Sequence, residues 1–149
     1  LIEKGVFRNC LVSPRSAKEY GVPTNGASDG EMPESIDVAA GILPSHAVLK
    51  QLDTGMYINN LWYLNYSDRP ACRITGMTRF ATFWVERGEI QAPLNVMRFD
   101  ETLYRMLGDN LEHLTSERDF ILDSGTYGAR STSSSRMPGA VVRDFTFTL

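Results

Sequence analysis

The sequence predicts an α+β fold, with a β-rich sandwich or barrel-like core and about three helices packed around it. Three observations carry that expectation. Residues 76–93 (GMTRFATFWVERGEIQAP) form the densest apolar and aromatic stretch of the chain and read as strand–turn–strand. Most remaining segments are short β-prone runs punctuated by Gly, Pro, Asn and Ser, without a regular β-α-β rhythm. Finally, 149 residues at 42% hydrophobic and 22% charged content suit one soluble domain long enough to bury a core.

Taken in order, residues 3–12 alternate weakly through Val6, Phe7, Leu11 and Val12 and read as a strand. Ser13 and Pro14 then open a short helix as N-cap and first helical residue; Ala17 continues it and Gly21 ends it. Residues 22–35 turn to Gly, Pro, Asn, Ser and acid, a long loop in which Asp29, Glu31 and Glu34 are expected to be solvated. IDVAAGIL (36–43) reads as a small buried strand stopped by Pro44. Ser45 should cap a helix that runs to Asp53 with Val48, Leu49 and Leu52 on one side, closed by Gly55. An aromatic-rich strand (56–64) and a loop (66–75) with Arg69, Pro70 and Cys72 lead into the central hairpin.

In that hairpin Phe80 and Trp84 fall on one face of a strand, and Phe83 and Val85 on the other. Two apolar faces place it inside a sandwich or barrel. The interruption Glu86-Arg87-Gly88-Glu89 supplies the reversal, with Gly88 free to take positive φ, and Pro93 stops the second strand. A further strand is expected at 96–99. Asp100 then caps the longest helix, in which Leu103, Met106, Leu107, Leu111 and Leu114 recur at helical spacing. Gly108 weakens that helix by about 1 kcal/mol relative to alanine. A strand at 120–122, a Gly/Ser-rich loop at 123–139 and an alternating strand at 141–149 complete the chain. In the last, Val141, Arg143, Phe145 and Phe147 share a face.

A formal net charge of −3 argues against a general nucleic-acid or anionic-membrane binder. No apolar run approaches the ~20 residues needed to cross a bilayer. Leu1 in place of an initiator methionine leads to the expectation that the chain is a piece of a longer protein. No secretory segment is read, so Cys10 and Cys72 are expected to be reduced thiols in the cytoplasm. Phosphate-loop, nucleophile-elbow and dinucleotide motifs are missing, and His46 and His113 belong to no metal-ligand pattern. A helix-end position accounts for His113 and an exposed one for His46. The tract Ser131 to Ser135, between Arg130 and Arg136, reads as a flexible surface loop, with anion binding as the alternative. Asn59, Asn60, Trp62 and Tyr63 suit a peptide-binding groove, although aromatics on a strand are more often core. A small-molecule barrel lined by Trp62, Phe80 and Trp84 is a further reading.

The ordered set of motifs resembles the C-terminal half of the TldD/PmbA family, once described as modulators of DNA gyrase and regarded as zinc-dependent peptidases and their partners. The resemblance runs from Lys4-Gly5-Val6 through Leu11, Arg15, Ala17 and Gly26, then Leu43-Pro44 and Gly55-Met56-Tyr57. Its strongest part is Thr75-Gly76 followed by Phe83-Trp84-Val85-Glu86, Gly88-Glu89-Ile90 and Pro93, against a family pattern of G-F-W-[IV]-E-x-G-E-I-x-x-P. The segment with Leu103, Met106 and Leu107 looks like the family's segment after that proline.

This resemblance implies a two-domain parent whose N-terminal domain carries an H-E-x-x-x-H helix with two zinc ligands and the catalytic glutamate. That glutamate would activate zinc-bound water. TldD-like members add a third ligand from a D-N-G-x-G-x-C context. The matching stretch here is Asp123-Ser124-Gly125-Thr126-Tyr127-Gly128-Ala129, which places Ala129 at or near the cysteine position. An alanine methyl cannot replace a thiolate. The chain is therefore expected to hold no catalytic residue, metal ligand or cofactor of its own and to be inactive in isolation, with zinc confined to the parent. Its expected partners are a peptide or unfolded-protein substrate, its own N-terminal domain, and a homo- or heterodimer mate from the family. Nucleic acid and membrane are not expected. The candidate peptide cleft comprises Tyr57, Asn59, Asp123, Gly125, Tyr127, Gly128 and Ala129. The alternative is a non-enzymatic dimerisation domain of a metal-free PmbA-like subunit.

Overall fold

The structure, a computed structural model, describes residues 1–148. The backbone divides into two compact units, residues 1–38 with 119–137 and residues 39–118 with 138–149.

The first unit opens on a hairpin of two very short strands, β1 (Ile2–Glu3) and β2 (Val6–Phe7), with Ile2 opposite Phe7. The expected single strand at 3–12 is broken because Lys4 and Gly5 both take positive φ, 50° and 75°, and reverse the chain. Helix α1 (Pro14–Tyr20) forms where its caps predict. Ser13 Oγ accepts the Ser16 N–H, and Gly21 at φ 66° donates its N–H to the Ala17 carbonyl.

The acidic loop after α1 is tied down rather than solvated throughout. Asn25 Oδ1 accepts the Val12 N–H at 2.9 Å, its Nδ2 donates to the Cys10 carbonyl at 2.8 Å, and Thr24 Oγ donates to the Val12 carbonyl at 2.7 Å. Glu31 accepts the N–H of buried Ser13 at 2.8 Å. That bond, with the hydroxyls of Ser16 and Ser13, holds the Glu31 carboxyl below its ordinary range. Backbone groups at residues 10–13 thus find side-chain partners that no strand supplies.

Strand β3 (Ile36–Asp37) is only two residues long and exposed, not the buried strand expected at 36–43. It pairs parallel with β9 (Ser134–Val142), Ile36 opposite Ser135, in a sheet ordered β3-β9-β8 with β8 at Leu111–Leu122. The supposed loop at 123–139 therefore ends at Ser134, whose N–H donates to Ser35 Oγ. Likewise the strand expected at 120–122 is the end of the longer β8.

In the second unit Leu43 bridges to Thr115, and the chain enters a 3₁₀ turn (Ser45–Ala47) that continues into α2 (Val48–Leu52). Pro44 occupies the N-cap position in place of Ser45. The Ser45 N–H and Oγ–H both donate to Glu117 instead. The long hairpin of β4 (Gly55–Asp68) and β5 (Arg73–Glu86) dominates this unit, and each strand extends three residues into the region read as loop. Strands β6 (Glu89–Pro93), β7 (Arg98–Thr102) and β10 (Phe147–Thr148) complete a sheet ordered β10-β7-β5-β4, with β6 also on β5. The β5–β6 reversal is as expected, with Arg87 at φ 55° and Gly88 at φ 78°, both positive as a type I′ turn requires. The sheets do not close into a barrel; the α+β, sandwich-like class stands.

Phe99 anchors the core of this unit. It is 1% exposed, and its ring centroid lies 5.1 Å from that of Phe145 and 6.4 Å from that of Phe147. Val85, Thr78 and Val141 are buried with it. Two expectations change around this core. Phe80 and Trp84 are exposed, so only one side of the aromatic hairpin faces apolar neighbours along that stretch. The strand expected at 96–99 is shifted to 98–102, leaving Asp100 in mid-strand, where it accepts a bond from Arg73 at 3.2 Å rather than capping a helix.

The long helix predicted from Leu103 to Leu114 is a single π-helical turn, Arg105–Asp109. Its helical spacing is coincidental. Arg105 reaches back one turn to the carboxylate of Glu101, itself 2% exposed, at 3.1 Å, and also donates to the Asp144 carbonyl at 3.3 Å. Gly108, Asp109 and Asn110 then stop the turn, and from Leu111 onward the period is two. His113 accordingly sits within β8 and not at a helix end. The terminal strand is interrupted at Arg143 and Asp144, the latter at φ 51°, before Phe145 and Phe147 return to the core. Leu149, the last residue of that expected strand, lies outside the described residues.

Candidate peptide-binding surface

Tyr57 and Asn59 lie on β4 in the second unit. Tyr57 is half-buried opposite Phe83, whereas Asn59 is exposed beside an irregularity of the ladder. Asp123, Gly125, Tyr127, Gly128 and Ala129 lie in an exposed loop of the first unit. There Asp123 accepts the Gly125 N–H at 2.9 Å and donates its own N–H to the Ser133 carbonyl, Gly128 takes φ 85°, and Tyr127 is wholly exposed. The predicted residues thus fall into two groups, one in each unit.

The serine tract beside that loop is partly ordered. Ser131 and Ser133 bond to each other, while Ser134 and Ser135 belong to β9. Arg136 stacks over the Phe120 ring at 5.4 Å. Ser35, Ile36, Asp37, Phe120, Ser134 and Arg136 line a shallow hollow of about 260 Å³.

The β4–β5 hairpin carries a feature that sequence reading missed. Ile58 pairs with Thr82 but Asn60 pairs with Arg79, so β5 holds one extra residue between them. Phe80 sits at this bulge with φ 61° and is 71% exposed. Because Arg79 pairs directly with Asn60, its side chain shares a face with Trp62, two residues along β4. The guanidinium carbon lies 4.2 Å from the Trp62 ring centroid and 4.6 Å from that of Phe80. Each such contact is worth about 0.5–1 kcal/mol at an exposed site. A second bulge, at Tyr63 with φ 57°, turns that aromatic side chain outward too. Trp62 and Phe80 therefore do not line an enclosed barrel pocket with Trp84. They flank a cation on an open surface.

Elsewhere in this unit, Glu117 accepts bonds from the Ser45 N–H (2.8 Å), Ser45 Oγ (2.9 Å) and Ser116 Oγ (2.8 Å). The Ser116 hydroxyl first, then the Ser45 N–H and hydroxyl, hold its carboxyl down at about 2. This is a structural bond set that joins the 3₁₀ turn to β8. Every acceptor position filled from the protein is one fewer for a ligand.

Among the described residues no three His, Cys, Asp or Glu side chains gather to hold a metal. Cys10 is an exposed free thiol and Cys72 a half-buried one in the β4–β5 turn, and the 123–129 loop offers Asp123 alone.

The description "PmbA/TldA metallopeptidase C-terminal domain" matches residues 1–149. The chain belongs to the PmbA/TldD family. Its fold resembles TldE from Thermococcus kodakarensis (TM-score 0.78, 17% identity), covering 99% of this chain and 33% of that one. It also resembles a protein of Thermotoga maritima described as a candidate modulator of a DNA gyrase (TM-score 0.68, 17% identity), covering 95% of this chain and 30% of the other. No curated protein matches the sequence. The chain therefore spans about a third of the length of these PmbA/TldD-like structures. The string from Thr75 through Phe83-Trp84-Val85-Glu86 to Pro93, which carried the resemblance, covers most of β5, its I′ turn and β6.

Proposed function

We propose that this chain is the cleft-forming, C-terminal domain of a PmbA/TldD-related zinc-dependent peptidase, acting in proteolysis or peptide maturation without catalytic or zinc-ligand residues of its own. The match over residues 1–149 to the family's C-terminal domain carries the reading. In it, residues 1–149 form one domain of a cytoplasmic protein. An extended peptide or unfolded segment adds to a sheet edge, main-chain hydrogen bonds supply affinity and side-chain pockets supply selectivity. Tyr57 and Asn59 on β4 and the 123–129 loop are the candidate cleft residues, and the reactive atoms come from the N-terminal domain. Incubating the full-length protein with an unfolded protein substrate and zinc tests this. Cleavage abolished by a chelator supports the reading, and metal-independent cleavage, or none by a zinc-loaded preparation, opposes it.

A second reading is a dimerisation domain of a metal-free partner subunit, homo- or heterodimeric. Ala129 at or near the position where TldD-like members carry cysteine favours it. An H-E-x-x-x-H motif in the preceding ~250 residues expected of such a parent separates the two, its presence favouring the enzyme and its absence the partner.

Running the present chain alone with peptide and zinc is the complementary test. Turnover by it would overturn the assignment of catalysis to the other domain.

A further inference from the structure

We propose that Arg79, flanked by Trp62 and Phe80, is a carboxylate-recognition site that selects an acidic side chain in an extended peptide added to the β4 edge. This rests on the peptide-binding reading above and adds to it the chemical class of the preferred residue.

Four observations carry it. First, β4 is the terminal strand of its sheet: among the described residues ten of its fourteen positions pair, all with β5, and its other edge pairs with no strand. Second, the arginine is held but not used up. Its guanidinium carbon lies 4.2 Å and 4.6 Å from the Trp62 and Phe80 ring centroids, and a cation–π contact does not consume N–H donors. Among the described residues Arg79 forms no ion pair. Third, the local charge is complementary to an acid. Asp68, in the last position of β4, is that strand's one charged residue, and so the strand beside Arg79 offers it no partner.

Fourth, the backbone is bent to make the arrangement. Bulky non-glycine residues seldom take positive φ, yet Tyr63 and Phe80 both do, one on each strand of this hairpin. Such bulges re-aim side chains and cluster at functional sites. The extra residue at Phe80 supplies the second ring against Arg79. In an added strand, alternate side chains face the same side of the sheet, so one acidic residue in register reaches the guanidinium while its neighbours lie over the aromatic rings. A carboxylate fits because it accepts two parallel N–H bonds from the fork.

The test uses the full-length protein and a short peptide of alternating threonine and valine, capped at both ends, with a central glutamate, compared with the same peptide carrying glutamine. Binding is read by fluorescence anisotropy. The glutamate peptide is expected to bind about three- to tenfold more tightly, the preference narrowing at high salt. Arg79→Gln should abolish the preference, so that the two peptides bind equally. Trp62→Phe, which keeps a stacking face, should retain it. Equal binding of both peptides, unaffected by Arg79→Gln, refutes the acid selection and leaves the peptide-binding reading standing. Failure of either peptide to bind refutes both. Sedimentation as a dimer that Arg79→Glu dissociates, with no peptide bound, would show that a second copy covers the edge and would overturn the proposal.

Discussion

Gly76 lies opposite Phe99 across β5 and β7, and the space there is already full. A Cβ at residue 76 would stand 2.8 Å from Leu64 Cδ2 and 2.9 Å from both Cε1 and Cζ of Phe99. Leu64 is half exposed and can swing away. Phe99 cannot, because Phe145 and Phe147 pack against its ring. Overpacking of this kind costs about 1–3 kcal/mol. Replacing a strand glycine by alanine returns about 0.5–1 kcal/mol of backbone entropy, since nothing at Gly76 requires positive φ. Gly76→Ala should therefore destabilise by about 0.5–2 kcal/mol, a fall in Tm of roughly 2–6 °C for a chain of this size. Phe99→Leu removes the two ring atoms that clash. It is costly alone but should cost less in the Gly76→Ala background, with a coupling of about 0.5 kcal/mol or more in a double-mutant cycle by urea denaturation. A neutral Gly76→Ala, or strictly additive variants, would refute the account of this contact.

Other contacts give three further expected outcomes. The Glu117 carboxyl is lowered from 4.5 to about 2, so its bonds to Ser45 and Ser116 contribute stability that is fully present above pH 4.5 and lost as pH falls toward 2. Urea midpoints of the parent should fall across that window relative to Glu117→Gln, and parallel profiles would reject the assignment. Arg105→Met leaves the buried Glu101 carboxylate only the Thr102 N–H as a partner among the described residues; with the arginine half exposed, a loss of about 1–2 kcal/mol is expected by thermal melting, and none if Glu101 finds water. Thr82 is 3% exposed and its Oγ lacks a partner among the described residues. Thr82→Val should thus raise Tm, by up to about 1 kcal/mol of stability, and a lowered Tm would show that the hydroxyl is bonded.

The features legible in the sequence are those that local chemistry decides. Ser13, Pro14 and Gly21 act within one helical turn, and Arg87-Gly88 needs only its own backbone to reverse the chain. The family-like string through Phe83-Trp84-Val85-Glu86 is legible for the same reason, as a contiguous pattern. Sequence reading fails where distant segments decide. The spacing of Leu103, Met106, Leu107, Leu111 and Leu114 satisfies a helix, but Asn110 bonds to Arg143 and the chain after it joins a sheet. Glu31 reads as a solvated acid because its partner, the Ser13 N–H, lies eighteen residues away. At the candidate site, Tyr57 and Asn59 can be placed on a strand by composition. The stacking of Trp62, Arg79 and Phe80 cannot be foreseen, because it depends on one unpaired residue that shifts the β5 register, and no local pattern announces that shift.

The ladder on either side of Phe80 is intact, with Ile58 against Thr82 and Asn60 against Arg79. A gene shorter by that single codon would encode a hairpin regular at this point, with both pairs preserved. The arginine would then lean on the tryptophan alone. Such a deletion separates the selectivity of this surface from the folding of the domain, and lets the one drift while the other is held.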